Sequence, residues 1–230
     1  MLRNLYRDTV ASWQRHSEER ALSGDLRRLR RDLRGMKAVE LELADARDAL
    51  SEPWRAYVHS ISPDWMAASA EICALLLALA QVRRPARMLD LGSGLSSYVL
   101  RTFALETDAR CRVVSVDDDV EWLERTRSAL QARAVPADDL YTWETFRAMR
   151  HEPFDLIFHD LGDMPVRIAA LPFALAQVAR DGVIVLDDMH KQGYAEAALQ
   201  ACTAAGFDLY SLRTLTTDRF GRHGAIALPR

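Results

Sequence analysis

Met88-Leu-Asp-Leu-Gly-Ser-Gly-Leu-Ser-Ser-Tyr98 reads as a buried strand that ends in Asp90, a turn of small residues through Gly92 and Gly94, and the start of a helix. Glycines in such a turn let backbone come close to a ligand, and the following helix N-terminus favours anionic groups. Beyond it the pattern alternates. Strands are predicted at 87–91, 112–116, about 139–141, 154–159 and 182–186, with helices at 95–106, 119–132, about 143–150, 165–179 and 192–205. That rhythm predicts an α/β fold with a doubly wound parallel sheet. The tail breaks it. Phe207–Leu212 and Ala225–Leu228 are two strands joined by a polar loop with Gly221 and Gly224, and they can pair as an antiparallel hairpin at a sheet edge.

The chain has 230 residues, enough for one α/β domain and an appendage. Hydrophobic residues make up 49% and charged residues 27%, an ordinary globular mixture. A net charge of −3 gives no electrostatic case for a nucleic-acid partner. Cys73, Cys111 and Cys202 are far apart in apolar segments, which suggests neither zinc nor a disulfide framework and fits a reducing cytoplasm. The first residues lack the apolar core of a signal peptide, and the run Ile72–Ala80 is too short to span a bilayer.

Residues 1–50 differ in composition and are expected to form a helical arm, with the main domain over 51–230. Leu22, Leu26, Leu29, Leu33 and Met36 recur at spacings of four and three, a short coiled-coil seam that could pair two copies as a homodimer. Glu40 and Arg47 then weaken the seam. Arg27, Arg28, Arg30, Arg31, Arg34 and Lys37 form a basic run, read first as a solvated helix face. Ser51-Glu-Pro53 is expected to break the helix, and Ser62-Pro63-Asp64 to start the next one, running to about Val82. Trp54, Tyr57 and His59 lie between them and could stack on a ligand ring or simply pack the arm down.

Asp90 followed by Gly92-Ser-Gly94, with the strand–turn–helix context and the terminal hairpin, resembles the first motif and fold of class I S-adenosylmethionine-dependent methyltransferases over roughly residues 62–230. The resemblance implies a Rossmann-like seven-stranded sheet with S-adenosylmethionine at the carboxyl ends of its strands. Asp90, Gly92, Gly94, Ser96 and Asp117 would hold that cofactor. Asp90 suits a ligand carrying a sulfonium and an ammonium. Ser96 and Ser97 could donate to its carboxylate, and Asp117, ending the second strand, could accept from both ribose hydroxyls. Trp143 could cover the adenine or pack in the core. A nicotinamide oxidoreductase is an alternative of another class. Its pyrophosphate would gain nothing from Asp90, and its third glycine would fall at Ser97.

Asp160 ends the fourth strand, and Asp187 and Asp188 end the fifth. Three converging carboxylates need compensation, and magnesium would provide it. The pattern is similar to the metal-dependent catechol and caffeoyl-coenzyme A O-methyltransferases, in which aspartates at these positions bind the ion. The resemblance implies methylation of a hydroxyl on a small molecule or glycan precursor, assisted by Mg2+ at Asp160, Asp187 and Asp188. The lysine base of the catechol type has no counterpart beside Gly162 and Asp163, which makes His190 the candidate base. His159 is expected to be structural. Metal-free N- or O-methylation through His190 is the alternative within the fold, and a non-catalytic assembly protein working through its coiled-coil arm lies outside it.

Overall fold

A computed structural model describes residues 24–107 and 110–230. Leu22 and the N-terminal residues before it lie outside the described residues. A helical stretch, α1, covers 24–32, and α2 spans Met36–Ser60. After α3 (Ala70–Arg83) the alternation begins: β1 (Arg87–Leu91), α4 (Leu95–Thr107), β2 (Arg112–Asp117), α5 (Val120–Gln131), β3 (Leu140–Thr142), α6 (Trp143–Ala148), β4 (Phe154–His159), α7 (Met164–Ala176), β5 (Val178–Leu186), α8 (Gln192–Ala204), β6 (Phe207–Ser211), α9 (Arg213–Thr216) and β7 (Ala225–Pro229). Most bounds follow the expected ones, since strongly periodic apolar segments specify their own element type, but α7 ends at Ala176 and β5 begins at Val178, inside the helix expected over 165–179.

The seven strands form one sheet in the order β3-β2-β1-β4-β5-β7-β6. Strands β1 to β5 are parallel, while β7 runs antiparallel between β5 and β6, as expected of the tail. Alternate residues of each strand face opposite layers. Met88, Val113, Leu156 and Val185 pack with α3 and α4, whereas Leu89, Val114, Ile157 and Ile184 pack with α7 and α8. The order of the strands reverses at β1 and β4, which opens a crevice beyond their carboxyl ends.

Two further expected boundaries move. The α2 helix continues through Pro53 instead of stopping at Ser51. Proline inside a helix costs about 3 kcal/mol, but Leu50 and Tyr57, one on each side of it, are buried in the same core as α3. Fixing both anchors in one helix outweighs the local cost. Conversely, the next helix begins at Ala70, not at Ser62. Ser69 caps it, its Oγ accepting from the Ile72 amide at 3.1 Å. The intervening carbonyls of Asp64, Trp65 and Ala67 accept hydrogen bonds from Arg222 at 3.0–3.1 Å. Those carbonyls serve a tertiary clamp in place of a helix.

The apolar seam is covered by the chain itself. Leu29, Leu33 and Met36 are buried in one cluster with α3 and the sheet. At Gly35 (φ 89) the chain turns out of α1 into α2, and the stripe resumes at Val39, Leu43, Ala46 and Leu50. Arg28, Arg30 and Arg31 are exposed and paired with Asp25, Glu40 and Asp32, a solvated face. Among the described residues, no helix is long and apolar enough to cross a membrane.

Candidate active site

The tips of β1 and β2 form one side of a cavity of about 350 Å³. Gly92, Gly94, Ser96 and Asp117 line it together with Asp118 and Asp160. Gly92 has φ 104, and a Cβ there would lie 2.5 Å from the Asp160 carbonyl oxygen, so only glycine lets the β1 turn pass beneath the β4 tip. Asp117 is buried. Its Oδ2 accepts from the Ser93 amide and hydroxyl at 2.8 and 2.9 Å, and its Oδ1 accepts from the Asp119 amide at 3.1 Å. Burial pushes its carboxyl upward against those hydrogen bonds. Asp119 caps α5 through the Glu121 and Trp122 amides.

Asp90 stands one layer behind the cavity and is fully buried. Ser97 donates its hydroxyl to Oδ2, while Oδ1 has no partner. Ser97 therefore serves the carboxylate, not the open space. Burial pushes Asp90 up to about 6, with Ser97, Ser96 and Ser115 opposing. A buried carboxylate with an orphaned oxygen and only the distant Arg101 for compensation favours a cation at the mouth of this turn.

Three residues that sequence reasoning did not assign complete this side. Ser93 ties Asp117 to Thr126, its Oγ 3.1 Å from the Thr126 hydroxyl. Trp122 donates its indole N–H to the Ser93 carbonyl at 2.7 Å and lines the cavity. Met66 reaches it from the clamped segment. Of Trp54, Tyr57 and His59, which could stack on a ligand ring or pack the arm down, only Tyr57 lines the cavity. Trp54 donates to the Ala68 carbonyl at 3.2 Å, and His59 is exposed. Trp143 packs edge-on against Phe173 at 5.3 Å and does not line the cavity.

On the other side, Asp160, Asp187 and Asp188 do converge at the tips of β4 and β5, but an arginine sits among them. Arg167, in the first turn of α7, is buried. Its Nη1 lies 2.5 Å from Asp160 Oδ1 and 2.7 Å from Asp188 Oδ2. Its Nη2 donates to the carbonyls of Asp160 and Gly162 at 2.8 and 3.0 Å, and its Nε to that of Leu161 at 3.3 Å. All five guanidinium N–H donors are thereby directed at oxygens. Lys191 Nζ adds a contact of 2.6 Å to Asp188.

The compensation expected of magnesium is thus supplied by Arg167 and Lys191. The arrangement does not fit a resident ion at Asp160, Asp187 and Asp188. The oxygens that would bind it are turned to the guanidinium, and Asp187 Oδ1 accepts from the Asp188 amide at 2.7 Å. Among the described residues, no group of three His, Cys, Asp or Glu is placed to hold a metal. Burial, then the neighbouring carboxylates, push Asp160 and Asp187 upward. Burial acts the same way on Asp188, but the Lys191 hydrogen bond and Arg167 outweigh it and hold that carboxyl below its usual range. Asp188 adopts a left-handed conformation (φ 59), which aspartate tolerates better than most residues.

His190 is partly exposed, with Nδ1 3.5 Å from Asp188 Oδ1 and its ring 6.3 Å from that of His223. His159 is fully buried, its Nδ1 3.1 Å from the Tyr194 hydroxyl, and burial holds it down at about 3. It is a neutral structural group.

The strand order and a ligand-sized crevice over the β1 and β2 tips define a class I methyltransferase fold. The chain is similar to cofactor-bound Rv0187 from MTB, with a TM-score of 0.59 and 25% identity over 84% of this chain and 89% of that one. It is also similar to the O-methyltransferase TomG from Streptomyces achromogenes in complex with SAM, with a TM-score of 0.57 and 22% identity over 82% and 89% of the two chains. The O-methyltransferase from Bacillus cereus in complex with SAH gives a TM-score of 0.51 and 19% identity over 83% and 89%. No protein-family profile and no curated protein sequence matches the chain.

Proposed function

We propose that this chain is an S-adenosylmethionine-dependent methyltransferase that acts on a hydroxyl of a small molecule or glycan precursor, without a resident metal and with His190 as base. The observation that carries this reading is the single cavity that joins Gly92, Gly94, Ser96 and Asp117 to Asp160 and Arg167. A methyl donor bound on one side would present its reactive carbon to an acceptor on the other.

When bound, the cofactor supplies an electrophilic methyl group. The chain's own residues do the rest. Asp117 accepts from ribose hydroxyls, the Gly92–Gly94 turn lets the ligand approach the backbone, and Asp90 favours the cationic end from behind. Displacement at carbon needs nucleophile, methyl and sulfur in line, so much of the acceleration comes from holding two ligands in register. Asp188 steadies the His190 imidazole, which removes the acceptor's proton as the new bond forms. Arg167 keeps Asp160 and Asp188 in place and, with Lys191, balances the charge of Asp188. Cys73, Cys111 and Cys202, far apart in the sequence, suit a cytoplasmic setting.

Calorimetric titration with S-adenosylhomocysteine tests the reading directly. Saturable binding is expected, and no heat with folded protein would refute it.

A further inference from the structure

One buried polar atom in the cofactor cavity comes from outside the strand–helix repeat. Tyr57, on α2, is 4% exposed, and its hydroxyl is buried without a hydrogen-bond partner. The hydroxyl stands over the β1 turn, where a Cβ built on Gly94 would lie 3.1 Å from it. Gly94 immediately precedes α4, whose N-terminus favours an anion. Burial holds the phenol protonated, so it is available as a donor. Buried hydroxyls are almost always paired, and an orphan costs about 1–3 kcal/mol. This one belongs to a residue that lines the cavity beside the β1 turn.

We propose that Tyr57 donates a hydrogen bond to the carboxylate at the methionine end of the cofactor, which makes the N-terminal helix α2 part of the cofactor site. The assignment rests on the methyltransferase reading and follows from the chemistry of the turn. Asp90 and Asp117 are acceptors, suited to the ammonium and the ribose hydroxyls. The carboxylate needs donors, and Ser97 is committed to Asp90. Tyr57 and the start of α4 supply them. Docking of the N-terminal segment and cofactor affinity would then be coupled.

The test compares wild type and Tyr57→Phe by calorimetry with two ligands. S-adenosylhomocysteine carries the amino-acid end, and 5′-methylthioadenosine lacks it. The variant is expected to bind S-adenosylhomocysteine about ten-fold more weakly, the loss typical of a hydrogen bond to a charged group, with methylthioadenosine affinity unchanged. Its free-protein melting temperature should equal or exceed that of wild type, since an unpaired hydroxyl is removed. Equal S-adenosylhomocysteine affinity in both proteins overturns the Tyr57 assignment alone. So does equal weakening of both ligands, or a lowered melting temperature, either of which marks the hydroxyl as structural. A wild type that binds neither ligand overturns the methyltransferase reading itself.

Discussion

Neighbouring strands carry aspartates at their tips, Asp90 and Asp117 on β1 and β2 and Asp160, Asp187 and Asp188 after β4 and β5, yet their charge is answered in opposite ways. At β4 and β5 the answer is internal: Arg167 and Lys191 hold the Asp188 carboxyl low, and Arg167 also pairs with Asp160, which burial still pushes upward. At β1 and β2 it is left open. Asp90 is fully buried, has an orphaned oxygen and is pushed up to about 6. One cluster is met by the chain's own cations, and the other leaves an oxygen of Asp90 without a partner. The contrast teaches that convergence of carboxylates does not by itself specify a metal. What matters is whether the chain brings its own cation.

The comparison breaks most readily at Arg167. Arg167→Met should lower stability by about 3–5 kcal/mol at pH 7–8, because it leaves buried carboxylates uncompensated. The loss should shrink on acidification, as those groups take up protons. Urea denaturation at two pH values measures both, and a loss below about 1 kcal/mol would show that the guanidinium is not the balancing charge.

His190→Gln should reduce kcat by at least about 100-fold, the usual contribution of a general base, and leave S-adenosylhomocysteine affinity intact. Methyl-transfer rates beside calorimetry separate the two effects. A variant with normal kcat would move the base elsewhere.

Asp90→Asn should act in the opposite direction on the free protein. The folded-state value of about 6 exceeds the ordinary 3.8, so the stability this group contributes is fullest below about pH 4 and is lost as pH rises towards 6. The variant escapes that loss. Its unfolding free energy should gain on wild type between pH 4 and 6 and stay ahead above it, by about 3 kcal/mol at most, read by urea denaturation. Cofactor affinity should fall. A variant destabilised at pH 8 would show that the Asp90 charge is answered inside the fold after all.

The smallest expected effect is none. Excess EDTA should leave the rate of methyl transfer unchanged and added Mg2+ should leave the melting temperature unchanged. A metal requirement would erase the difference between the two clusters.

Much of the fold was legible beforehand. Val113-Val114-Ser115-Val116 and Val183-Ile184-Val185-Leu186 could only be buried strands, and the absence of a helical pattern before Ala225 exposed the antiparallel β7. The helix through Pro53 and the late start at Ala70 were not legible. Each depends on what touches the segment from far away, Arg222 for one and the α3 core for the other. Arg167 left a faint trace as a lone charge among Met164, Pro165, Val166, Ile168 and Ala169, but nothing in that run says which carboxylates it will meet.

The sequence by itself determined the order of strands and helices, the glycine turn at 92–94 and the aspartates at the strand tips, because period, β-branching and turn chemistry act within a few residues. Only the tertiary structure decided how charge is settled there, placing Arg167 between Asp160 and Asp188 and leaving Asp90 and Tyr57 with unpartnered atoms. Hydrogen bonding and Coulomb attraction depend on distance in space, and residues far apart in the chain acquire that distance only when the sheet and its helices close around them.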